Sequence, residues 1–288
     1  MTACLEFYVK SGDGLSLFVR DYAPEGRVRA MPVICLHGLT RNSADFEAVA
    51  PRIAALGRRV IVPDMRGRGR SDWDPQPERY RPDVYAQDVN GILEAVQAPQ
   101  AIFVGTSLGG IVTMIMAAVA RARIHAAVLN DVGPVLDPKG IARIAGSVGK
   151  TMQFDSWDGI VAAIKASLAA AFPDADEAFW RTFAHRVARE LPDGRIAFAY
   201  DPAIANAFAQ PPPNPPPSMV PMFEALAAAP VLSIHGELSD LLSPDGVAAM
   251  RAVKPDLKCV DVPRTGHAPT LEEPAVWHAL VDFLNSLD

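Results

Sequence analysis

Close cysteine pairs are missing from this sequence. Its three cysteines, Cys4, Cys35 and Cys259, stand far apart, so neither a disulfide framework nor a thiolate metal centre is expected, and they read as reduced thiols. Long apolar runs are missing too. No uninterrupted stretch approaches the roughly 18 residues of a membrane span, and residues 1–10 lack the charged-then-apolar layout of a secretory signal. A soluble, cytoplasmic protein with no membrane partner is the expectation. Massed positive charge is absent as well: the formal net charge is −6 and the basic residues are scattered. That argues against nucleic acid as a partner and suits a small neutral or apolar ligand. Aromatic residues make up only 7% of the chain, so where they gather is informative. Phe154, Trp157, Phe172, Phe179, Trp180, Phe183 and Phe208 all fall between residues 135 and 226.

What is present is ample for a large core, since half of the 288 residues are apolar. The 26 prolines cluster in connections, above all from Pro211 to Pro217, where a stiff extended connector is expected. Residues 5–9 and 15–20, separated by Ser11-Gly12-Asp13-Gly14, alternate as an opening antiparallel hairpin does. A continuous apolar run at 33–36 and strand patterns at 59–63, 101–104, 126–130, 231–234 and 258–262 read as buried strands. Helical spacing lies between them, at 43–56 with a kink at Pro51, 85–96, 108–120, 244–253 and 274–287. Alternating strands and helices predict a mostly parallel sheet covered on both faces. Residues 135–226 break that rhythm. They show helical patterns at 141–148, 157–171, 175–190 and 203–208 and no convincing strand, so they read as a helical lid inserted into a core of residues 1–134 and 227–288. The lid's aromatic positions are expected to form mainly its own core, with a minority facing a ligand pocket.

One stretch carries chemistry by its own pattern. Gly105-Thr106-Ser107-Leu108-Gly109 fits G-x-S-x-G, a strand-to-helix turn that lifts a serine hydroxyl above the sheet edge. Glycines two residues either side remove Cβ atoms that would collide where strand and helix nearly touch. The bland alternative is a Gly-rich turn with an incidental serine, but the flanking buried strand and helix supply the context the motif requires. A serine hydroxyl needs a base titrating near neutrality and a carboxylate to orient it. His267, on a Gly-His loop beyond the last strand, can serve as that base. His235 also ends a strand, while His125, His185 and His278 fall on helices or their ends. No metal-ligand spacing is present, and no cofactor is expected.

His37-Gly38, the loop from Asp64 to Asp72, the elbow, and Gly266-His267-Ala268-Pro269 together resemble the α/β-hydrolase superfamily, over every segment except the lid. The resemblance implies an α/β fold with an inserted helical cap, and a triad in the chain order nucleophile, acid, histidine: Ser107, Asp240 in Gly236-Glu237-Leu238-Ser239-Asp240, and His267. Asp131, after the strand that follows the elbow helix, is the rival acid and is expected instead to cap the lid hinge. The oxyanion would be held by the backbone N–H groups of Leu39 and Leu108. His37 would shape its loop, and the Asp64 to Asp72 loop would be a structural turn without chemistry. The expected activity is a serine hydrolase cleaving a carboxylic ester or lactone of a small, fairly apolar acid through an acyl-enzyme, with a small ester-like molecule as its partner. Carbon–carbon hydrolysis of a ring-cleavage product is the alternative, weakened by Thr106 where such enzymes have Asn. It would need a cationic clamp, for which Arg41 is a candidate with no second basic residue beside it in sequence. A non-catalytic ligand receptor on the same fold is the reading outside enzymology; it has no need of a complete triad.

Overall fold

The computed structural model describes residues 2–150, 152–208 and 218–287; the proline run from Pro211 to Pro217 lies outside the described residues. The chain opens with the hairpin β1 (Cys4–Lys10) and β2 (Ser16–Tyr22), then alternates β3 (Val33–Leu36), α1 (Val49–Ala55), β4 (Val60–Pro63), α2 (Pro82–Ala95), β5 (Ala101–Thr106), α3 (Leu108–Val119) and β6 (Ile124–Asn130). The insertion follows: α4 (Pro138–Ser147), β7 (Gln153–Phe154), α5 (Trp157–Leu168), α6 (Glu177–Val187), β8 (Ala188–Glu190) and β9 (Ile196–Phe198). Then α7 (Val220–Ala227), β10 (Val231–Gly236), α8 (Pro244–Val253), β11 (Lys258–Val262) and α9 (Pro274–Asn285) complete the described fold.

Eight strands form one sheet in the order β1-β2-β4-β3-β5-β6-β10-β11. The pairs from β4 to β11 are parallel, and the two pairs involving β2 are antiparallel. Successive side chains of a strand face opposite ways, and β5 shows what that does here. Ala101 and Phe103 enter the core shared with α2, α3, α7 and α8. Ile102 and Val104 enter the core shared with α1 and α9. With both faces buried, such a strand must read as a continuous apolar run. Proline in the first turn of α2, α4, α7, α8 and α9 fits a position whose N–H has no helical acceptor.

The structure corrects three local expectations. Residues 43–56 are not one kinked helix: a 3-10 turn at Ser43–Phe46, capped by the Asn42 side chain, precedes α1, and Pro51 falls in the first turn of α1, where it is tolerated. The cap is not all helical, because β7, β9 and β8 form a small antiparallel sheet, and 175–190 leaves helix at Val187. Strands of two and three residues are too short to show a period. Finally, α7 belongs to the core rather than to the insertion. Its Phe223 and Leu226 are fully buried in the cluster with α3, so the cap ends before residue 220.

The cap has its own apolar centre of Ile160, Val161, Ile164, Phe172, Trp180 and Phe183. It is fastened over the carboxyl edge of the sheet at several points. Gly69 N–H donates to Ala199 O and Asp201 N–H to Gly67 O, both at 2.7 Å. Asn42 donates to Arg186 O at 2.7 Å, and Arg186 pairs with Glu272 at 2.7 Å. No helix among the described residues is long and apolar enough to cross a membrane.

Candidate active site

Ser107 joins β5 to α3 at φ 51°, ψ −112°, a left-handed conformation that costs a non-glycine residue energy. The crossing is as tight as the sequence pattern requires. A Cβ on Gly105 would lie 2.5 Å from the Gly109 backbone, and one on Gly109 would lie 2.1 Å from Leu36 O of β3. The Ser107 amide donates to Asn130 O at the end of β6, 3.0 Å away. This fixes the elbow against its neighbouring strand.

His267 arrives from the loop between β11 and α9, with Nε2 2.9 Å from Ser107 Oγ. Its Nδ1 lies 2.7 Å from Asp131 Oδ2, so the carboxylate accepts a hydrogen bond from Nδ1–H and leaves the Nε2 lone pair facing the hydroxyl. Asp131 is fully buried. It accepts two further hydrogen bonds, from Gly236 N–H at 2.9 Å and from Ser239 Oγ–H at 2.6 Å. A buried charge needs such partners.

The expected contact of Asp240 with His267 is therefore corrected: Asp131 occupies that place. Asp240 turns the other way, onto the Arg143 guanidinium of α4, with Nη2 to Oδ1 at 2.7 Å and Nε on its second oxygen. Its side chain is more than a third exposed, and Arg143 holds its carboxyl below the usual carboxylate range. The cause lies in the packing of α4, since Gly140 rests so close to the Asp240 carbonyl that a Cβ would stand 2.5 Å from it. The turn after β10 does contribute, though through Gly236 N–H and the Ser239 hydroxyl.

Of the two expected oxyanion donors, Leu108 is the first residue of α3, whose N–H cannot pair within the helix. Leu39 follows Gly38, where a Cβ would lie 3.9 Å from Ser107 Cβ. The Asp64 to Asp72 loop braces this segment from behind. Arg68, fully buried and stacked 4.6 Å from the Tyr85 ring centroid, donates from Nε to Leu39 O at 2.8 Å. His37 donates from Nδ1 to Gly38 O at 2.8 Å and accepts the Met65 N–H at Nε2, 3.0 Å away. Burial pushes its pKa down to about 4, which keeps it neutral and able to accept. Arg66 is buried against Asp74 at 2.6 Å and Asp88 at 2.7 Å. The loop thus braces its neighbours, and Arg68 gives it a direct hold on Leu39.

Sequence reasoning missed Asn130. Its Nδ2 donates to Pro269 O at 2.8 Å and to Thr106 Oγ1 at 3.0 Å, tying the strand before Ser107 to the loop that carries His267. Nothing local marks such a residue; only its place at the end of β6 does. His235 is kept apart, with Nδ1 on Asp261 at 2.8 Å. His185 stacks on Trp157.

Ser107, Leu39 and His267 open into a cavity of about 620 Å³ roofed by the cap, within the range of small-molecule sites. Phe172, Phe183, Phe198 and Tyr200 are the cap aromatics that reach it, together with Ile144, Ile164 and Leu168; Trp180 stays in the cap's own core. Arg41 lines it too, bound to Asp45 at 2.6 Å with its guanidinium 3.8 Å from the Phe183 centroid. It is not the isolated cation that the sequence suggested: Arg143, Lys150 and Arg186 come from the cap to the same cavity.

The chain is similar to known proteins at several distances. A family profile described as alpha/beta hydrolase fold matches residues 31–274. A 3-hydroxybutyrate-oligomer hydrolase of Cupriavidus necator is 32% identical over 250 residues, covering 84% of each chain. A 2-(acetamidomethylene)succinate hydrolase of Mesorhizobium japonicum is 28% identical over 88% of each. Among solved structures, an alpha/beta hydrolase from Novosphingobium aromaticivorans superposes with a TM-score of 0.92 over 99% of both chains, at 43% identity.

Proposed function

The chain belongs to the α/β-hydrolase fold family, and from that premise we propose that this hydrolase cleaves carboxylic esters through an acyl-enzyme on Ser107, with His267 as base and Asp131 as the orienting acid. The observation that carries the reading is the unbroken line Ser107 Oγ, His267 and buried Asp131, at 2.9 and 2.7 Å, opening into a largely apolar cavity.

Ser107 Oγ attacks the ester carbonyl as His267 Nε2 takes its proton, and the carbonyl oxygen becomes an oxyanion met by the Leu39 and Leu108 N–H groups. Collapse expels the alkoxide, which leaves as an alcohol with the proton from His267. Water then repeats the sequence on the acyl-enzyme and releases the acid. Asp131 stabilises the imidazolium in both halves without taking the proton.

Ester scope draws on the apolar cavity wall and on the relative named for hydrolysing 3-hydroxybutyrate oligomers. The cap, through Phe172, Phe183 and Ile164, would set the acyl length admitted. A fluorophosphonate should add one group to Ser107 and none to Ser107→Ala, with loss of p-nitrophenyl butyrate hydrolysis. Full labelling of Ser107→Ala, or an unlabelled parent chain, overturns the assignment.

A further inference from the structure

The cavity holds one cation unmatched among the described residues, although the protein is acidic. Four cationic side chains line it, in a chain of net charge −6. Three are already matched: Arg41 by Asp45, Arg143 by Asp240 and Arg186 by Glu272. Lys150 has no carboxylate within ion-pair distance among the described residues. It is exposed, just past α4, and lines the cavity. On its own, an exposed lysine is a solvated charge; its surroundings here are built.

Gly149, the residue before it, has φ 82° and sits where a Cβ would lie 2.3 Å from Ala205 Cβ. Its N–H donates to the Tyr200 hydroxyl, 3.3 Å away. Tyr200 is itself buried and lines the cavity. Its backbone is locked to the core loop on both sides, by the Gly69 to Ala199 and Asp201 to Gly67 hydrogen bonds. The phenol accepts from Gly149 and has a proton left to give, which burial retains by raising its pKa. Lys150 and the buried Tyr200 hydroxyl thus line one cavity, linked through Gly149, and the other lining cations are paired with carboxylates. A carboxylate is the group that answers both, through charge-assisted hydrogen bonds.

We propose that Lys150 and Tyr200 form a carboxylate subsite, so that the substrate is an ester carrying a free carboxylate at the end remote from the bond that is cut. This deepens the ester-hydrolase reading and rests on it for the bond, though not for the binding. It departs from the neutral substrate expected from sequence, because Lys150 and Tyr200 come to one cavity only in the folded chain.

The test uses Ser107→Ala, which binds esters without turnover, and two ester pairs, each as free acid and methyl-capped. The monoethyl ester of adipic acid puts the carboxylate on the acyl side, and 3-(butanoyloxy)butanoate puts it on the alcohol side. Calorimetry should show about tenfold tighter binding of the free acid in at least one pair, as a charge-assisted contact implies. Adding Lys150→Gln should bring that ratio to about one, and adding Tyr200→Phe should reduce it severalfold. Equal binding of free and capped forms in both pairs overturns the subsite, as does a preference that survives Lys150→Gln. A Lys150-dependent preference with no hydrolysis of either pair by the active chain upholds the subsite and overturns the ester reading.

Discussion

Two strand ends of the same sheet each offer a carboxylate to the histidine, and they use it differently. After β6, Asp131 is fully buried and held by a backbone amide, a serine hydroxyl and His267 Nδ1. After β10, Asp240 is part-exposed and spent on Arg143 of the cap. The turn after β10 has become the support of the acid that stands one strand away. An orienting carboxylate needs a fixed direction more than it needs a particular strand, and three donors fix Asp131 where one exposed guanidinium would leave Asp240 free to turn.

The sharpest way to break that comparison is Asp131→Asn. Removing the charge while keeping the shape should lower kcat on p-nitrophenyl butyrate by on the order of 10³ to 10⁴, as loss of the imidazole tautomer does in serine hydrolases. If Asp240→Asn lost as much in a folded protein and Asp131→Asn did not, the roles would be reversed. Ser239→Ala comes next. It deletes a hydrogen bond to a buried carboxylate, worth about 1.5 kcal/mol, so roughly a tenfold fall in kcat is expected with KM little changed. An unaltered kcat would make the turn after β10 a bystander. Asp240→Asn should change kcat by less than about threefold, since a part-exposed pair contributes at most about 1 kcal/mol. Its mark should appear instead in stability against pH. Arg143 depresses the folded pKa of Asp240, so the pair stabilises above the ordinary carboxylate range, and the contribution fades as pH falls through that depressed value. Thermal midpoints of the parent and Asp240→Asn should therefore converge as pH drops from 7 towards 3. A gap that widens on acidification would contradict the assignment of charge.

The larger architecture was legible because it follows from local patterns. A strand buried on both faces must be mostly apolar, and β3 to β6 and β10 are. The elbow was legible for the same reason, since Gly105, Ser107 and Gly109 lie within five residues and their constraint is steric. The acid was not, because Asp131 and Asp240 both follow strands at the correct edge, and the choice depends on where α4 pulls Asp240. Asn130 and Arg68 act through carbonyls of Pro269 and Leu39, 139 and 29 residues away in sequence. The cap's strands escaped notice through shortness, and its boundary at α7 through an apolar helix that could have served either layer.

Ser107 sits at φ 51°, in a conformation that costs a residue with a Cβ about 1 to 3 kcal/mol and costs glycine almost nothing. Ser107→Gly would relax the elbow while abolishing the nucleophile, so the inactive chain should unfold at a higher temperature than the active one. Stability and activity pull in opposite directions at this residue. A library screened for heat tolerance alone would be drawn towards glycine at position 107, and only a screen that also demands turnover would keep the serine in place.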